Sequence, residues 1–317
     1  MDNASTELRD RLQELQRVLN ATLLGKPEVV ERVVTCLLAG GHILLEDMPG
    51  VGKTLLAFAL SRAVKGDFSR IQFTADLLPA DILGLRIYRR GAEVFEFVPG
   101  PIFAHVVLAD ELNRAPPKTQ SALLQAMNEG SVTVERQTYP LPGPFMVIAT
   151  QNPRGQHGTY PLPESQRDRF LMRLSIGYPD AATEIRILGE VRETDLAARI
   201  EPILVPEQVL QIQRQVRLVK TPEPCLAYLA RLVEATHTHA DVVIPISPRG
   251  TIALMRAAQA LAYLRGQAWI DLDLIKELAP AVLAHRLALR WLPQESLQEG
   301  APLAWVEREL LQRVPVE

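Results

Sequence analysis

Cysteine is scarce in this sequence, and the two that occur fit neither a metal site nor a disulfide framework. Among 317 residues, Cys36 and Cys225 lie far apart and match no zinc-ligand spacing. Two buried thiols in a reducing cytoplasm are favoured over a disulfide. Aromatic residues make up only 5% of the chain, and no basic run interleaves its three tryptophans, Trp269, Trp291 and Trp305. These tryptophans predict packing of the C-terminal region and exclude a platform for stacking nucleic-acid bases.

The sequence also lacks an excess of basic charge and a long apolar run. Lys and Arg total 34 against 37 acidic residues, for a net charge of −3. There is therefore no overall basic field of the kind that non-specific nucleic-acid binders use. No apolar stretch approaches the length of a membrane span, and no secretion signal opens the chain. With 47% hydrophobic residues, we expect a soluble, cytoplasmic protein whose core is large enough for two domains.

The strongest pattern lies at residues 43–54, where an apolar run leads into a glycine-rich loop ending in Lys-Thr. Glycines let successive backbone N–H groups converge on phosphate oxygens, and the following helix adds its positive N-terminus. Lys53 can reach the β- and γ-phosphates while the Thr54 hydroxyl binds Mg²⁺. We assign nucleotide binding to Pro49, Gly50, Val51, Gly52, Lys53, Thr54 and Leu55.

This loop departs from the usual pattern at one position. The pattern places a glycine five residues before Gly52, where this chain has Asp47. Aspartate tolerates left-handed backbone geometry better than most residues. We expect the Asp47 carboxylate to point away from the phosphates.

A second apolar strand ends in two adjacent carboxylates, Asp110 and Glu111. At the C-terminal end of a parallel strand they would lie beside the phosphate loop. There Asp110 can hold the magnesium shell and Glu111 can orient and deprotonate a water molecule, with a helix cap as the alternative role. The next strand ends near Ala149, and Asn152 beyond it is a candidate contact to the γ-phosphate.

Arginines further along the chain have no obvious role at their own phosphate loop. Arg167 and Arg169 lie on a short helical segment, where an arginine finger given to a neighbouring subunit competes with a solvated or salt-bridged face. Arg249 stands at the start of a helix, where it could swing toward the triphosphate or remain exposed.

Strands alternate with helix-length segments up to about residue 179, which predicts an α/β fold with a parallel sheet and helices on both faces. The strand candidates are 42–46, 69–73, 106–109 and 145–149. Residues 74–99 form an insertion, and 131–141 predict a hairpin turning at Arg136-Gln137. From residue 180 strands disappear, and the helix candidates are 206–219, 224–239, 248–264 and 271–289. We therefore predict domains at 1–179 and 180–317, the second an all-helical lid with a C-terminal tail.

Taken in order, these motifs resemble the AAA+ ATPases and, within them, the MoxR group. The likeness extends from Gly25 to about Leu289. Beyond the phosphate loop and the carboxylates it includes the segments 73–84, 99–103, 113–127, 158–164, 168–173 and 247–249. Several long matches in the right order make the resemblance specific.

The resemblance implies a P-loop NTPase that binds ATP and Mg²⁺, with Lys53 and Thr54 at the phosphates and metal. It also implies Asp110 and Glu111 as the Walker B pair. Sensor 1, the arginine finger and sensor 2 would be Asn152, Arg169 and Arg249. Arg167 and Arg173 compete with Arg169 for the finger, and Arg249 could act on its own or on the neighbour's nucleotide.

The resemblance further implies a homo-oligomeric, hexameric ring that acts on a protein client. Residues 74–99 would hold the helix 2 insert and 131–141 the pre-sensor 1 hairpin, which present moving surfaces to that client. The client would be a protein under maturation, such as one with a von Willebrand factor A domain or an enzyme awaiting a metal or cofactor.

The function indicated is thus ATP-driven remodelling or maturation of client proteins. One alternative is an ATP-dependent assembly switch or scaffold with little turnover, against which an intact Glu111 argues. A DNA-remodelling motor is disfavoured by the net charge and by the lack of a basic hairpin. The tail after Arg290 carries no motif that indicates its role.

Overall fold

A five-stranded parallel sheet forms the centre of the computed structural model, which describes residues 3–91, 93–151, 158–190, 196–291 and 301–315. In chain order the strands are β1 (Ile43–Glu46), β2 (Phe68–Gln72), β3 (Gly84–Arg89), β4 (Val94–Pro99), β5 (Val106–Asp110), β6 (Ser131–Val134), β7 (Gln137–Pro140), β8 (Met146–Gln151), β9 (Met172–Leu174), β10 (Val242–Ile244) and β11 (Ala288–Leu289). The sheet has the order β2-β5-β8-β1-β9, and each neighbouring pair is parallel.

Helices pack on both faces of this sheet and also make up most of the C-terminal region. They are α1 (Asn3–Thr22), α2 (Pro27–Ala39), α3 (Lys53–Ala63), α4 (Pro79–Leu83), α5 (Pro117–Glu129), α6 (Glu164–Arg167), α7 (Ala181–Glu190), α8 (Pro206–Val216), α9 (Glu223–Thr238), α10 (Pro248–Leu264), α11 (Leu272–Leu283) and α12 (Ala301–Trp305). Successive β1 residues pack on opposite sides, Ile43 and Leu45 with α1–α3 and Leu44 with α5. Strands β1 and β8 are buried throughout, as covered parallel strands are. The predicted α/β fold is confirmed.

Strand β9 is missing from the sequence prediction. It has only three residues, and its middle residue, Arg173, is a buried charge within the strand. So short a segment carries too little periodicity to be recognised. It pairs with β1 at the edge of the sheet, with Arg173 opposite Leu44.

Two antiparallel hairpins, β3–β4 and β6–β7, lie within the predicted insertion and the predicted hairpin segment. The turn of the second lies at Glu135 and Arg136, whose φ angles are 54° and 117°, so the predicted turn at Arg136-Gln137 is wrong by one residue. Two-residue hairpin turns of type I′ need positive φ at both central positions, and here no glycine marks them. The hairpins meet where the Phe97 and Tyr139 rings stack, 3.9 Å between centroids.

The C-terminal region is a helical lid, as predicted, but it is not entirely helical. Strands β10 and β11 form a short antiparallel pair. The predicted helix 271–289 is therefore too long: α11 ends at Leu283, and the 3₁₀ turn Ala284–Arg286 leads into β11. The apolar residues that follow Leu283 continue the helical pattern, which hides this change from the sequence.

Among the described residues, the lid shares its core with the helices beside the sheet. One continuous cluster of buried side chains includes residues of α1–α3 and of α8–α11, and α10 packs directly on α2. Across the same junction Gln213 Nε2 donates to the Leu37 carbonyl at 2.7 Å, and Arg265 pairs with Glu31 at 2.8 Å. The domain division at residue 179 stays a prediction, since the buried cluster is continuous across it.

The tail beyond residue 300 packs on the lid, where Trp305 and Leu310 join the buried cluster. Trp305 is buried as predicted, but Trp269 and Trp291 are more than half exposed, so the packing role predicted for those two is wrong. Cys36 and Cys225 are buried free thiols. Within the described ranges, no helix combines the length and the apolar character that crossing a membrane requires.

Candidate active site

Strand β1 leads into a loop that is open to an anion. Helix α3 begins at Lys53, directly after Gly52. Gly50 and Gly52 have φ angles of +87° and +98°, which residues with a Cβ rarely adopt. No side chain caps the start of α3, so its first N–H groups are available to a phosphate.

The Asp47 carboxylate points away from this loop, as predicted. It accepts hydrogen bonds from the Ser175 hydroxyl at 2.7 Å and from the backbone N–H groups of Ile176 and Gly177 at 2.7 and 2.9 Å. Asp47 therefore ties the start of the phosphate loop to the chain that leaves β9.

Lys53 crosses the base of the loop, where its Nζ donates to the Asp47 carbonyl oxygen at 2.9 Å. Burial lowers the pKa of Lys53, and the charges of Asp47, Asp110 and Glu111 oppose that shift. The ammonium group is thus held among carboxylates beside the glycines.

Asp110, at the end of β5, is held on two sides. Thr150 of β8 donates to Oδ1 at 2.7 Å, and Arg70 of β2 pairs with Oδ2 at 2.6 Å. Thr150 also accepts the Glu111 N–H at 2.9 Å, so one hydroxyl fixes both Asp110 and Glu111.

Glu111 follows with a left-handed backbone, φ 57°. Its carboxylate accepts a hydrogen bond from Gln72 Nε2 at 2.8 Å and pairs with Arg114 at 3.1 Å. Sequence reasoning missed Arg70, Gln72 and Thr150. Their signal is positional: all three are polar residues at or near the ends of strands that flank β5, which becomes visible only when the strand order is known.

These groups line one cavity of about 480 Å³. Its walls are Asp47, Pro49, Gly50, Gly52, Lys53, Thr54, Leu55, Arg70, Gln72, Asp110, Glu111 and Thr150. The cavity brings together the predicted loop residues, apart from Val51, with both carboxylates. Asn152, the predicted sensor 1, lies outside the described residues.

Val51 lines a second cavity of about 320 Å³, on the other side of the loop toward β9. Asp47 borders both cavities. The second is more apolar, with Met48, Leu174, Tyr178 and the tail residue Leu303 among its walls. A ligand with a charged end and a flat apolar end would suit the pair.

The donors of the first cavity suit a magnesium ion. The Thr54 hydroxyl and the Asp110 carboxylate are the hard oxygen ligands that Mg²⁺ prefers, usually with phosphate and water completing its shell. The Arg70 guanidinium already pairs with Asp110, so this carboxylate accepts a cation there. No cluster of three or more His, Cys, Asp or Glu side chains that could hold a metal occurs in the described part of the chain.

Arg169 and Arg249 do not line this cavity. Arg169 donates to the Leu124 carbonyl at 2.8 Å, and Arg249 donates to Asn128 Oδ1 at 3.1 Å. Leu124 and Asn128 lie one turn apart on α5. The two arginines therefore lie side by side along α5, away from their own phosphate loop.

The two competing arginines are engaged inside the chain. Arg173 is buried and pairs with Glu46. Arg167 pairs with Glu164 at 3.4 Å, and burial lowers its pKa. Of the three candidates, Arg169 is the one whose guanidinium is neither buried in the sheet nor paired with a carboxylate in the described contacts.

A parallel sheet whose first strand runs into a glycine-rich loop, with Lys-Thr and paired carboxylates around one cavity, defines a P-loop nucleotide-binding protein. Residues 42–172 match the ATPase family associated with various cellular activities (AAA), and residues 234–304 match the AAA lid domain.

Three known proteins illustrate the relationship. The chain is 45% identical to YeaC of Bacillus subtilis, an uncharacterized protein, over 94% of this chain and 92% of that one. It is 42% identical to the chaperone MoxR1 of Mycobacterium tuberculosis, over 88% and 74%. A crystal structure of a candidate ATPase from Cytophaga hutchinsonii superposes with a TM-score of 0.88 at 36% identity, covering 98% and 96% of the chains. The chain belongs to the MoxR family of AAA+ ATPases.

Proposed function

We propose that this protein hydrolyses ATP in a Mg²⁺-dependent reaction. The observation that carries the proposal is the convergence of Lys53, Thr54, Asp110 and Glu111 on one cavity. Lys53 and the α3 N-terminus bind the phosphates, and Thr54 and Asp110 hold the metal. When bound, Mg²⁺ neutralises charge that develops on the transferring phosphoryl group. The second, more apolar cavity takes the base.

Glu111 orients and deprotonates the attacking water. Gln72 and Arg114 orient its carboxylate, and Thr150 accepts a hydrogen bond from its backbone N–H. A general base needs such fixed geometry, because proton abstraction requires a position within hydrogen-bond reach of the water. Asn152, directly after β8, is proposed to contact the γ-phosphate.

The site is proposed to be shared between subunits of a hexameric ring. The Arg169 and Arg249 side chains contact α5 and do not reach their own phosphate loop, which supports their action on the neighbour's nucleotide. An arginine in this role stabilises charge in the transition state. The engagement of Arg167 and Arg173 within the chain supports Arg169 as the finger.

The client is proposed to be a cytoplasmic protein that undergoes maturation or remodelling. Apolar side chains exposed on β3–β4, including Leu85, Tyr88, Val94 and Phe95, support this hairpin as the surface that acts on it. The relative MoxR1 is named a chaperone. Insertion of a metal or cofactor, and a client with a von Willebrand factor A domain, are the specific forms that the family resemblance favours.

The test is steady-state ATP hydrolysis against protein concentration, with assembly followed by light scattering. We expect the rate per subunit to rise with concentration, and both Glu111→Gln and Arg169→Ala to lose activity while retaining assembly. A concentration-independent rate would contradict the shared site. Negligible hydrolysis with nucleotide-dependent assembly intact would favour the assembly switch, and stimulation by DNA would favour a DNA motor.

A further inference from the structure

The Asp168 carboxylate, whose side chain is 20% exposed, connects the segments that carry the two arginines. Arg286 ends the 3₁₀ turn after α11 and is 4% exposed. Its Nε donates to Asp168 Oδ1 at 2.8 Å, and the Ser247 hydroxyl donates to Asp168 Oδ2 at 3.3 Å. Asp168 immediately precedes Arg169, and Ser247 lies two residues before Arg249. The carboxylate thus fixes both backbone segments to Arg286.

The same guanidinium holds the chain that follows Arg169. Arg286 Nη2 donates to the Phe170 carbonyl at 2.6 Å and Nη1 to the Leu171 carbonyl at 3.2 Å. His285 Nε2 lies 3.0 Å from the Phe170 carbonyl. These contacts run from the lid to the sheet, so the lid sets the backbone on both sides of Arg169.

Helix α10 starts directly against Arg286. A Cβ on Gly250 would lie 2.6 Å from Ile246 Cγ2 and 3.0 Å from Arg286 Cδ, which real Cβ atoms scarcely show. Gly250 therefore permits the close approach that brings the first turn of α10, and Arg249 with it, beside Arg286.

The contacts among Asp168, Arg286 and Ser247 depend on the opposite charges of Asp168 and Arg286. Burial lowers the pKa of Arg286 to about 10, and Asp168 opposes the shift, so the guanidinium stays charged at neutral pH. Breaking a buried ion pair by removing one partner leaves an uncompensated charge. Loss of the Asp168 charge therefore loosens the connection between the two segments.

We propose that Asp168 and Arg286 are positioning residues that hold Arg169 and Arg249 in a fixed relation for the neighbouring subunit's nucleotide. This inference rests on the shared site proposed above. Neither Asp168 nor Arg286 lines the chain's own cavity. The cluster should therefore matter in the subunit that donates the arginines, and not in the subunit whose nucleotide is hydrolysed.

Rings assembled from two different variants can test the subunit that donates the arginines separately from the subunit whose nucleotide is hydrolysed. A donor chain carries Glu111→Gln and keeps its arginines, and an acceptor chain carries Arg169→Ala and keeps Glu111. Co-assembly should restore hydrolysis at interfaces where the donor faces the acceptor. Asp168→Asn is then added to either chain, with Ser247→Ala as a milder second variant that removes one bond to the same carboxylate.

We expect Asp168→Asn in the donor to lower the restored rate at least tenfold, and in the acceptor to change it less than twofold. Ser247→Ala should follow the same asymmetry with a smaller loss. Equal losses of the restored rate from Asp168→Asn in donor and in acceptor would show a merely structural role. An unchanged rate with Asp168→Asn in the donor would show that Asp168 has no role. Either result overturns the inference while leaving the shared site intact. Failure of the parent pair to restore hydrolysis would overturn the shared site and, with it, this inference.

The matched control is Glu277→Gln in the donor. Glu277 pairs with Arg265 and Arg32 and so also joins the lid to α2, but away from the arginines. It should leave the restored rate within twofold. Thermal unfolding of each variant verifies that the chains added to the mixture are folded.

Discussion

At the scale of single residues, Asp47 shows why the usual loop glycine can be replaced. Its buried carboxylate serves three donors on the chain leaving β9. Asp47→Gly restores the common pattern but leaves the Ile176 and Gly177 N–H groups without their acceptor. We expect a loss of roughly 2 to 4 kcal/mol in unfolding free energy, because each buried unpaired donor costs about 1 to 3 kcal/mol. Urea denaturation measures this loss. An unchanged or increased unfolding free energy in Asp47→Gly would show that the hydrogen bonds of Asp47 to the chain after β9 do not stabilise the protein.

Arg70 occupies the carboxylate of Asp110, to which we assign the proposed metal. Its guanidinium lies 2.6 Å from Oδ2 and is about half exposed. Exposed ion pairs contribute about 0.2 to 1 kcal/mol, so Arg70→Ala should lower the Mg²⁺ concentration for half-maximal hydrolysis roughly two- to fivefold. Mn²⁺ binding followed by electron paramagnetic resonance gives a readout independent of turnover. Arg70→Lys keeps the charge and should resemble the wild type. Weaker metal binding by Arg70→Ala would instead show that Arg70 strengthens metal binding at the site.

His42 makes stability depend on pH. Its Nδ1 accepts the Val147 N–H at 3.0 Å and its Nε2 donates to the Met127 carbonyl at 3.1 Å, an arrangement that only the neutral ring can make. Burial lowers the pKa of His42 from 6.5 to about 4. Because the folded pKa is the lower one, this stabilisation is full above pH 6.5 and is lost as pH falls toward 4.

The loss attributable to His42 is on the order of 2 kcal/mol between pH 7 and pH 5. Urea unfolding at both values measures it against His42→Asn, whose stability should change less over the same interval. Equal changes in the two proteins would show that other groups, such as the buried His285, carry the pH dependence.

At the scale of elements, the two hairpins are joined into one surface. Phe97 of β4 stacks on Tyr139 of β7, and Arg86 of β3 pairs with Glu135 at 3.6 Å. Aromatic pairs contribute about 0.5 to 1.5 kcal/mol beyond their buried area. In a double-mutant cycle, Phe97→Leu and Tyr139→Leu should show a coupling of about that size. Additive losses would mean that the hairpins are independent, and hydrogen exchange in β3–β4 should rise in Tyr139→Leu.

The elements also show what the sequence could predict. The phosphate loop and Asp110-Glu111 were predictable because each follows its own apolar strand, so local pattern suffices. Gln72 was not, since its place at Glu111 requires knowing that β2 lies beside β5. Strand β9 could not be recognised from the sequence, because its charged residue Arg173 is buried in an ion pair with Glu46, more than a hundred residues away. Contacts between distant segments leave little trace in local periodicity.

At the scale of the whole molecule, the shared core makes the lid and the sheet one unfolding unit. Helix α10 is buried against α2, and Leu261 lies inside the cluster that spans both. We expect a single cooperative transition in calorimetry, with tryptophan fluorescence, which comes only from the C-terminal region, and hydrogen exchange of β5 and β8 reporting the same midpoint. Leu261→Ala should cost about 2 to 5 kcal/mol and lower both midpoints together.

The matched control for Leu261→Ala is Leu226→Ala, on α9 at a position 43% exposed. It should shift the transition little, because its side chain leaves no comparable cavity. Two separate transitions, or a Leu261→Ala effect confined to the tryptophan signal, would mean that the lid unfolds on its own. A common transition would show that the lid and the sheet unfold together, as their shared core predicts.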